Sequence, residues 1–283
     1  MSTLTREPKS TRTNRTLLHS NPILSRLSKV DERTETNAAS YVGIAAKTSF
    51  FLLVTLIGMV AQLIVMGLMA GEPVWQTIQV YEKFTVSLSM KEAVAVGAVL
   101  VVGLVTELIG VFARKTIPVT GTIYSASQGY VISFLVFKVL KGYEYLGLET
   151  LLLTVAVVAA MSWLYSSGII KANKKFRTVL LSLLLGSVGL GVLSFLGSLI
   201  PATRPYVLAM MENSAFTITL DVIGLVIAAL FLISDFSMID TCVKQGYPKE
   251  YEWSAAFGLV FTVIWIYLKI LDLLMQFAGK KDD

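Results

Sequence analysis

The chain has 283 residues, of which 55% are hydrophobic and only 15% are charged, and its formal net charge is +5. Soluble domains carry about 25% charged residues, and a soluble core of this size could not bury so much apolar surface. The composition therefore excludes an ordinary soluble domain and favours a membrane protein whose apolar surface is covered by lipid.

Residues 1–48 are polar, rich in Thr, Ser, Asn and Arg, and lack the apolar core of a signal peptide. They predict a cytoplasmic N-terminal tail that is mostly disordered. Within it, the short stretch from Asn21 to Leu27 is amphipathic enough to rest on a membrane surface.

Residues 49–279 contain seven apolar segments long enough to cross the roughly 30 Å hydrocarbon core of a bilayer. The predicted spans are Phe50–Ala70, Ala93–Ala113, Ile117–Phe137, Leu151–Ile170, Val179–Ile200, Phe216–Ile239 and Trp253–Phe277. This pattern predicts an all-α polytopic membrane protein with seven transmembrane helices, followed by a short C-terminal tail at residues 280–283. Only three residues, Arg114 to Thr116, separate the second and third spans, so these two must form a tight antiparallel hairpin.

Two further segments carry structural predictions. The longest connection, residues 71–92, begins with Pro73 and Trp75 and later alternates in polarity, which predicts an ordered or interfacial external loop. The glycines of the segment Gly186 to Gly191 lie within the fifth span. They are predicted to lie where helices pack closely, rather than in a nucleotide-binding loop.

The basic residues predict the orientation of the spans. Lysines and arginines are more than twice as frequent in the tail and in the loops after spans two, four and six as on the other side. The N-terminus is therefore expected in the cytoplasm and the C-terminus outside. Because these charges are dispersed at the ends of apolar segments, they indicate membrane orientation rather than a nucleic-acid partner.

Asp235 and Asp221 are the most informative polar residues because both lie in the sixth predicted span. An aspartate at the centre of a span costs about 2.5–3.5 kcal/mol, and less toward its ends. Fourteen residues apart, the two carboxylates fall within roughly 40° on one helix face. This face predicts a cation or proton path; the alternative is that Asp221 is merely solvated at the outer interface. Asp240 follows the span and reads as a solvated or capping carboxylate.

Other charged residues within the spans have both structural and functional interpretations. Glu107 and Arg114 lie seven residues apart on nearly the same face, too far for a direct pair, so each is expected to need a partner on another helix. Glu107 suits a structural anchor and a path residue equally well. Lys269 and Asp272, at i and i+3 in the last span, are expected to pair or to snorkel.

The sequence gives little support for an enzymatic function. Cys242 is the only cysteine and His19, in the tail, the only histidine, so a disulfide, a cysteine zinc cluster and histidine-based chemistry are excluded. The spans contain no nucleophile–base set, so we expect no enzymatic activity and no cofactor. Any pH sensor in the membrane must be a carboxylate, because no histidine lies in the spans; burial then disfavours the charged form of that carboxylate.

Several motifs resemble the Bax inhibitor-1/YccA family, in the bacterial branch with an extended N-terminal tail. They are the segment Ser234 to Asp240, with its Asp-Phe pair, the last-span segments Trp253 to Leu259 and Trp265 to Leu268, the stretch Ser20 to Leu27, and the segment Tyr124 to Gly129. Each motif is short, but their order and spacing are fairly specific and cover most of the chain.

The resemblance implies a seven-helix fold with the last helix surrounded by the other six, in a bacterial inner membrane. It also implies pH-sensitive calcium leak through a pair of aspartates, one on the sixth helix and one on the seventh. Asp235 matches the first aspartate, whereas Thr262 stands at the position of the second. A threonine can donate a hydrogen bond to Asp235 but cannot share a proton with it as a second carboxylate does.

Two functions follow as hypotheses. The first is a cation leak channel with Asp235 at the cytoplasmic mouth, calcium as the permeant ion, and Thr262, Asp221, Glu107 and Arg114 as further path or pH-sensing residues. The second is a non-conducting regulator that binds another membrane protein, such as the membrane protease associated with the YccA branch. A proton-coupled transporter is weaker, because no internal repeat or broken helix pair is visible.

Overall fold

The computed structural model describes residues 38–80, 84–212 and 214–279, and it is 81% helical. The α-helices in these ranges are α1 (Tyr41–Leu68), α2 (Met90–Phe112), α3 (Ile117–Phe134), α4 (Tyr145–Ser166), α5 (Lys174–Leu199), α6 (Arg204–Glu212), α7 (Ser214–Lys244) and α8 (Tyr251–Gly279). A 3₁₀ turn, Arg114–Thr116, joins α2 to α3, and α3 continues into a π-helical turn, Leu135–Val139. Two strands, β1 (Val74–Val80) and β2 (Phe84–Ser89), pair antiparallel.

Six helices are long and apolar enough to cross a membrane, namely α1, α2, α4, α5, α7 and α8. This confirms an all-α polytopic membrane protein. The remaining predicted span coincides with α3, which has 18 residues. Its Thr, Ser and Gln side chains lower its mean hydropathy, so it is not among the six. Several of its polar residues are instead buried in the protein, including Ser125 and Ser133.

The structure alters the predicted boundary of the tail. Helix α1 begins at Tyr41, nine residues before the predicted span, and Ser40 caps it by accepting a hydrogen bond from the Gly43 N–H at 3.0 Å. Residues 41–48, assigned to the tail from composition, are therefore helical. The rest of the tail up to residue 37, including the amphipathic stretch from Asn21, lies outside the described residues, as do residues 280–283.

The predicted ordered loop at residues 71–92 contains the β-hairpin. Strand β2 alternates, with Phe84, Val86 and Leu88 buried, which matches the two-residue period of a strand with one packed face. Ser89 then caps α2 in a reciprocal capping box with Glu92. The alternation was visible in the sequence, but the strands themselves were not predicted.

Close packing of α1 on α3 depends on two glycines, one in each helix. A Cβ at Gly58 would overlap the carbonyl oxygen of Ala126, and a Cβ at Gly129 would overlap that of Thr55. The same interface holds a buried hydrogen bond of 2.9 Å from Ser133 Oγ to Gln62 Oε1. Small residues thus bring the two backbones together, as is typical of helix pairs in membranes.

Helix α8 packs against α1, α3, α4 and α7. The ring of Phe257 makes edge-on contacts with Phe51 of α1 and Tyr124 of α3, with centroids 6.1 and 5.4 Å apart. The predicted tight hairpin of α2 and α3 is also confirmed, since only the 3₁₀ turn separates them.

The prediction that the glycines of the fifth span lie at a close helix contact is wrong within the described residues. A Cβ at Gly186, Gly189 or Gly191 would meet nothing within 4 Å. Helix α5 packs against only parts of α6 and α7 and exposes most of its apolar side chains. The short helix α6 between them was not predicted.

Candidate functional site

Asp235 lies near the end of α7, half-buried against α8. The hydroxyl of Thr262 donates a hydrogen bond to Asp235 Oδ2 at 2.6 Å. The same hydroxyl lies 3.1 Å from the Gly258 carbonyl oxygen, one turn back along α8. Thr262 itself is buried, so its side chain is aimed at the carboxylate from within the protein. The structure therefore brings together the two residues that the resemblance aligned with the family's aspartate pair.

Gly258 of α8 lies beside the Asp235 carboxylate. A Cβ at this position would lie 3.7 Å from Asp235 Oδ1, in ordinary van der Waals contact. A larger side chain would therefore occupy the space beside the carboxylate. Gly258 and Thr262 are four residues apart and so lie on the same face of α8.

Asp235 has no lysine or arginine partner among the described residues. Its only hydrogen bond among the described residues comes from the neutral Thr262. Five other carboxylates each pair with a lysine: Glu72 with Lys91, Glu92 with Lys138, Asp221 with Lys269, Asp240 with Lys244 and Glu252 with Lys47. The charge of Asp235 is thus not compensated by a cation in the part of the chain that the structure describes.

Asp221 is buried and serves as an anchor between α7 and α8. Lys269 Nζ and Gln276 Nε2 each donate to a different oxygen of its carboxylate, both at 2.6 Å. Asp221 is 8% exposed, so the solvated alternative does not apply, and its charge is balanced by Lys269. The i, i+3 spacing suggested Asp272 as the partner of Lys269. The structure shows Lys269 paired with Asp221 on another helix.

Glu107 and Arg114 were each expected to need a partner on another helix. For Arg114 this holds, because its guanidinium lies 4.5 Å from the centroid of the Tyr251 ring on α8. Glu107 is half-buried on α2 and makes no hydrogen bond or ion pair within the described ranges. The structure does not bring Glu107 into contact with Asp235.

A groove of about 240 Å³ lies beside the Asp235–Thr262 pair. It is lined by residues from the end of α2, the following turn, the start of α3, and α8: Gly110, Val111, Arg114, Ile117, Ser254, Phe257, Gly258 and Phe261. Gly258 is common to the groove wall and to the surroundings of Asp235. The groove therefore brings Arg114 and the intramembrane carboxylate to one region of the fold.

Sequence reasoning missed the two polar clusters at this end of the bundle. Asp240 accepts hydrogen bonds from Tyr41 at 2.8 Å, Tyr165 at 3.0 Å and Lys244 at 2.6 Å, so it joins α1, α4 and α7 rather than being merely solvated. Glu252, in the first turn of α8, is fully buried and pairs with Lys47 and Ser40 of the α1 region. Neither carboxylate lies within a predicted span, so no sequence pattern predicted these contacts.

A comparison with protein-family models gives a match to the model described as Bax inhibitor 1 like, over residues 21–279. The chain belongs to this family. The matched range covers the described helices and the Asp235–Thr262 pair, so the Bax inhibitor 1 resemblance read from short motifs is confirmed. A search of curated proteins finds no match to this Bax inhibitor 1 family member.

Proposed function

We propose that this family member is a pH-sensitive cation leak channel, with calcium as the permeant ion and Asp235 near the cytoplasmic mouth. The observation that carries the proposal is the uncompensated carboxylate of Asp235, half-buried between α7 and α8 with only a neutral hydrogen-bond donor. Burying an unpaired charge is costly, so such a residue in a membrane span suggests a function. Carboxylate oxygens suit hard cations such as calcium.

The proposal includes a topology. Helix α3 would be the seventh span, buried by its neighbours rather than facing lipid, and α8 would lie at the centre. The contacts of α8 with α1, α3, α4 and α7 support this arrangement. The lysine and arginine distribution supports an N-terminus in the cytoplasm of a bacterial inner membrane.

Replacing Asp235 with Asn tests the role of the charge. Two unit charges 4 Å apart attract by about 4 kcal/mol at an effective dielectric constant of 20, more than the 1.4 kcal/mol that a tenfold effect requires. We expect calcium flux into proteoliposomes to fall at least about tenfold in Asp235→Asn. Because acid protonates the carboxylate, wild-type flux is expected to decrease as the pH falls, and flux through the variant to be insensitive to pH.

Asp240→Asn is the matched control, since it makes the same chemical change five residues later in α7, at a carboxylate that Lys244 already neutralises. Its flux should stay within about twofold of wild type. Equal flux and equal pH response in wild type and Asp235→Asn would exclude Asp235 from the mechanism. No flux through the folded wild-type protein would reject the channel and leave a regulator that binds another membrane protein.

Thr262→Asp would create a carboxylate pair at this site. Thr262 Oγ1 lies 2.6 Å from Asp235 Oδ2, and two carboxylates this close cannot both ionise readily, so the pair retains a proton at higher pH. The flux–pH curve of Thr262→Asp is expected to shift toward alkaline pH by roughly one unit or more. Thr262→Val, which removes only the hydroxyl, is the isosteric control; it loses a hydrogen bond that favours the charged carboxylate, so its curve should shift in the same direction but by less than that of Thr262→Asp. A curve for Thr262→Asp that superimposes on wild type would contradict coupling between the two positions.

A further inference from the structure

The groove beside Asp235 contains polar groups that the protein leaves without partners. Ser254 lines the groove, and its buried hydroxyl has no hydrogen-bond partner among the described residues. Arg114 is exposed and its guanidinium lies 4.5 Å from the centroid of the Tyr251 ring, but its N–H groups donate to no acceptor within those residues. A guanidinium that lies over an aromatic ring without a hydrogen-bond acceptor still has its N–H donors available for a ligand. The groove is therefore lined by two residues that carry unpartnered donors.

The charge of this region is positive. Lys115 follows Arg114 in the same 3₁₀ turn and is also exposed. Two carboxylates that are unpaired within the described part of the chain, Glu107 and Asp235, lie deeper in the bundle, whereas Glu250, next to Tyr251, is exposed at the surface. Glu107 lies seven residues before Arg114, about 10 Å along the helix, and Gly258, which lies beside Asp235, is about 6 Å deeper than Ser254. An anion at Ser254 would therefore meet Arg114 before either carboxylate.

The remainder of the groove is apolar, which distinguishes it from a site for a soluble anion. Phe257, Phe261, Ile117 and Val111 form its walls, and Val111 is 67% exposed on the outside of α2. The groove thus opens toward the surface that lipid covers, at the level where α2 ends. Basic pockets between membrane helices at this depth suit lipid headgroups.

We propose that this groove binds an anionic phospholipid. Arg114 and Ser254 would donate hydrogen bonds to the phosphodiester, Lys115 would add a second positive charge, and the start of an acyl chain would lie along Phe257 and Phe261. This binding does not depend on whether the protein conducts ions, so the lipid site and the leak activity can fail separately.

Titration of the full chain with phosphatidylglycerol, followed by native mass spectrometry and with phosphatidylcholine as the reference lipid, tests the proposal. We expect one phosphatidylglycerol per chain to bind in preference to phosphatidylcholine. Arg114→Gln should weaken that binding about tenfold, because a charge-assisted hydrogen bond is lost, and Ser254→Ala about threefold. Lys175→Gln, at an exposed lysine in the first turn of α5, is the charge-matched control and should bind like wild type.

Two results would contradict a defined phospholipid site, and one control distinguishes lost binding from misfolding. If Arg114→Gln and Lys175→Gln weakened phosphatidylglycerol binding equally, the binding would depend on the overall charge of the protein. That result would overturn a defined site. Binding of glycerol 3-phosphate, which lacks acyl chains, as tightly as the lipid would overturn the role of the apolar walls. Thermal unfolding of Arg114→Gln in detergent without added lipid, matched to wild type, separates lost lipid binding from misfolding.

Discussion

A single methyl group added at Gly129 is expected to destabilise the protein by about 3 kcal/mol or more. An alanine Cβ there would overlap the carbonyl oxygen of Thr55 and would lie 3.1 Å from the Met59 amide nitrogen. Both are backbone atoms of α1, so no side-chain rotation can relieve the contact. Helix α1 would have to move away from α3, which would also disrupt the buried hydrogen bond between Ser133 and Gln62. Unfolding by SDS titration in mixed micelles measures the change.

Gly189→Ala is the matched control, because it makes the same substitution inside another long helix where a Cβ would meet nothing within 4 Å. Replacing glycine by alanine within a helix stabilises it by up to about 1 kcal/mol, so this variant should unfold like wild type or slightly later. Equal unfolding free energies for Gly129→Ala and Gly189→Ala would contradict the close approach of α1 and α3.

The contrast between these two glycines shows that helix contacts could not be predicted from the sequence. Gly189 belongs to the group that the sequence assigned to close helix packing, whereas Gly129 was noted only as part of a family motif. Both lie in predicted spans and have no side chain. What separates them is which helix face meets another helix, and that depends on the arrangement of the whole bundle. Apolar length predicts that helices exist, but it does not predict their contacts.

For the polar residues, too, positions within a helix could be predicted from the sequence, whereas contacts between helices could not. Asp235 could be singled out because an aspartate in an apolar segment is costly, and its contact with Thr262 came from the family resemblance rather than from spacing. Lys269 was paired from spacing with Asp272, but its partner Asp221 is 48 residues away in sequence on α7. Neighbours on one helix can be read from periodicity, whereas partners across two helices require the packed structure.

Glu252 gave no signal in the sequence, yet Lys47→Met is the second substitution with a large expected effect. The Glu252 carboxylate is completely buried, pairs with Lys47, and accepts hydrogen bonds from the Ser40 backbone N–H at 2.9 Å and the Ser40 hydroxyl at 3.1 Å. Methionine keeps most of the length of lysine but removes its charge. It would leave a buried carboxylate without a counter-charge, so we expect a loss of about 3–5 kcal/mol in unfolding free energy.

A second substitution separates the charge from the packing. In the Lys47→Met background, Glu252→Gln replaces the unpaired carboxylate with a neutral amide whose oxygen can still accept from Ser40. The double variant is therefore expected to recover more than half of the lost stability, since breaking one side of a buried pair costs more than removing both charges. An unfolding free energy as low as that of Lys47→Met alone would mean that the lysine acts by packing on Trp253, whose ring centroid lies 5.2 Å from its ammonium.

Lys91→Met provides the surface counterpart of this test. Lys91 pairs with Glu72 at 2.6 Å, but the lysine side chain is 65% exposed. Exposed ion pairs contribute about 0–1 kcal/mol because water screens them. The difference between the two methionine variants therefore measures the effect of burial. If Lys47→Met cost no more than Lys91→Met, the contact would be an ordinary surface pair. A larger loss would identify it as the contact that fixes the start of α1 against α8, next to the end of the bundle that holds Asp235.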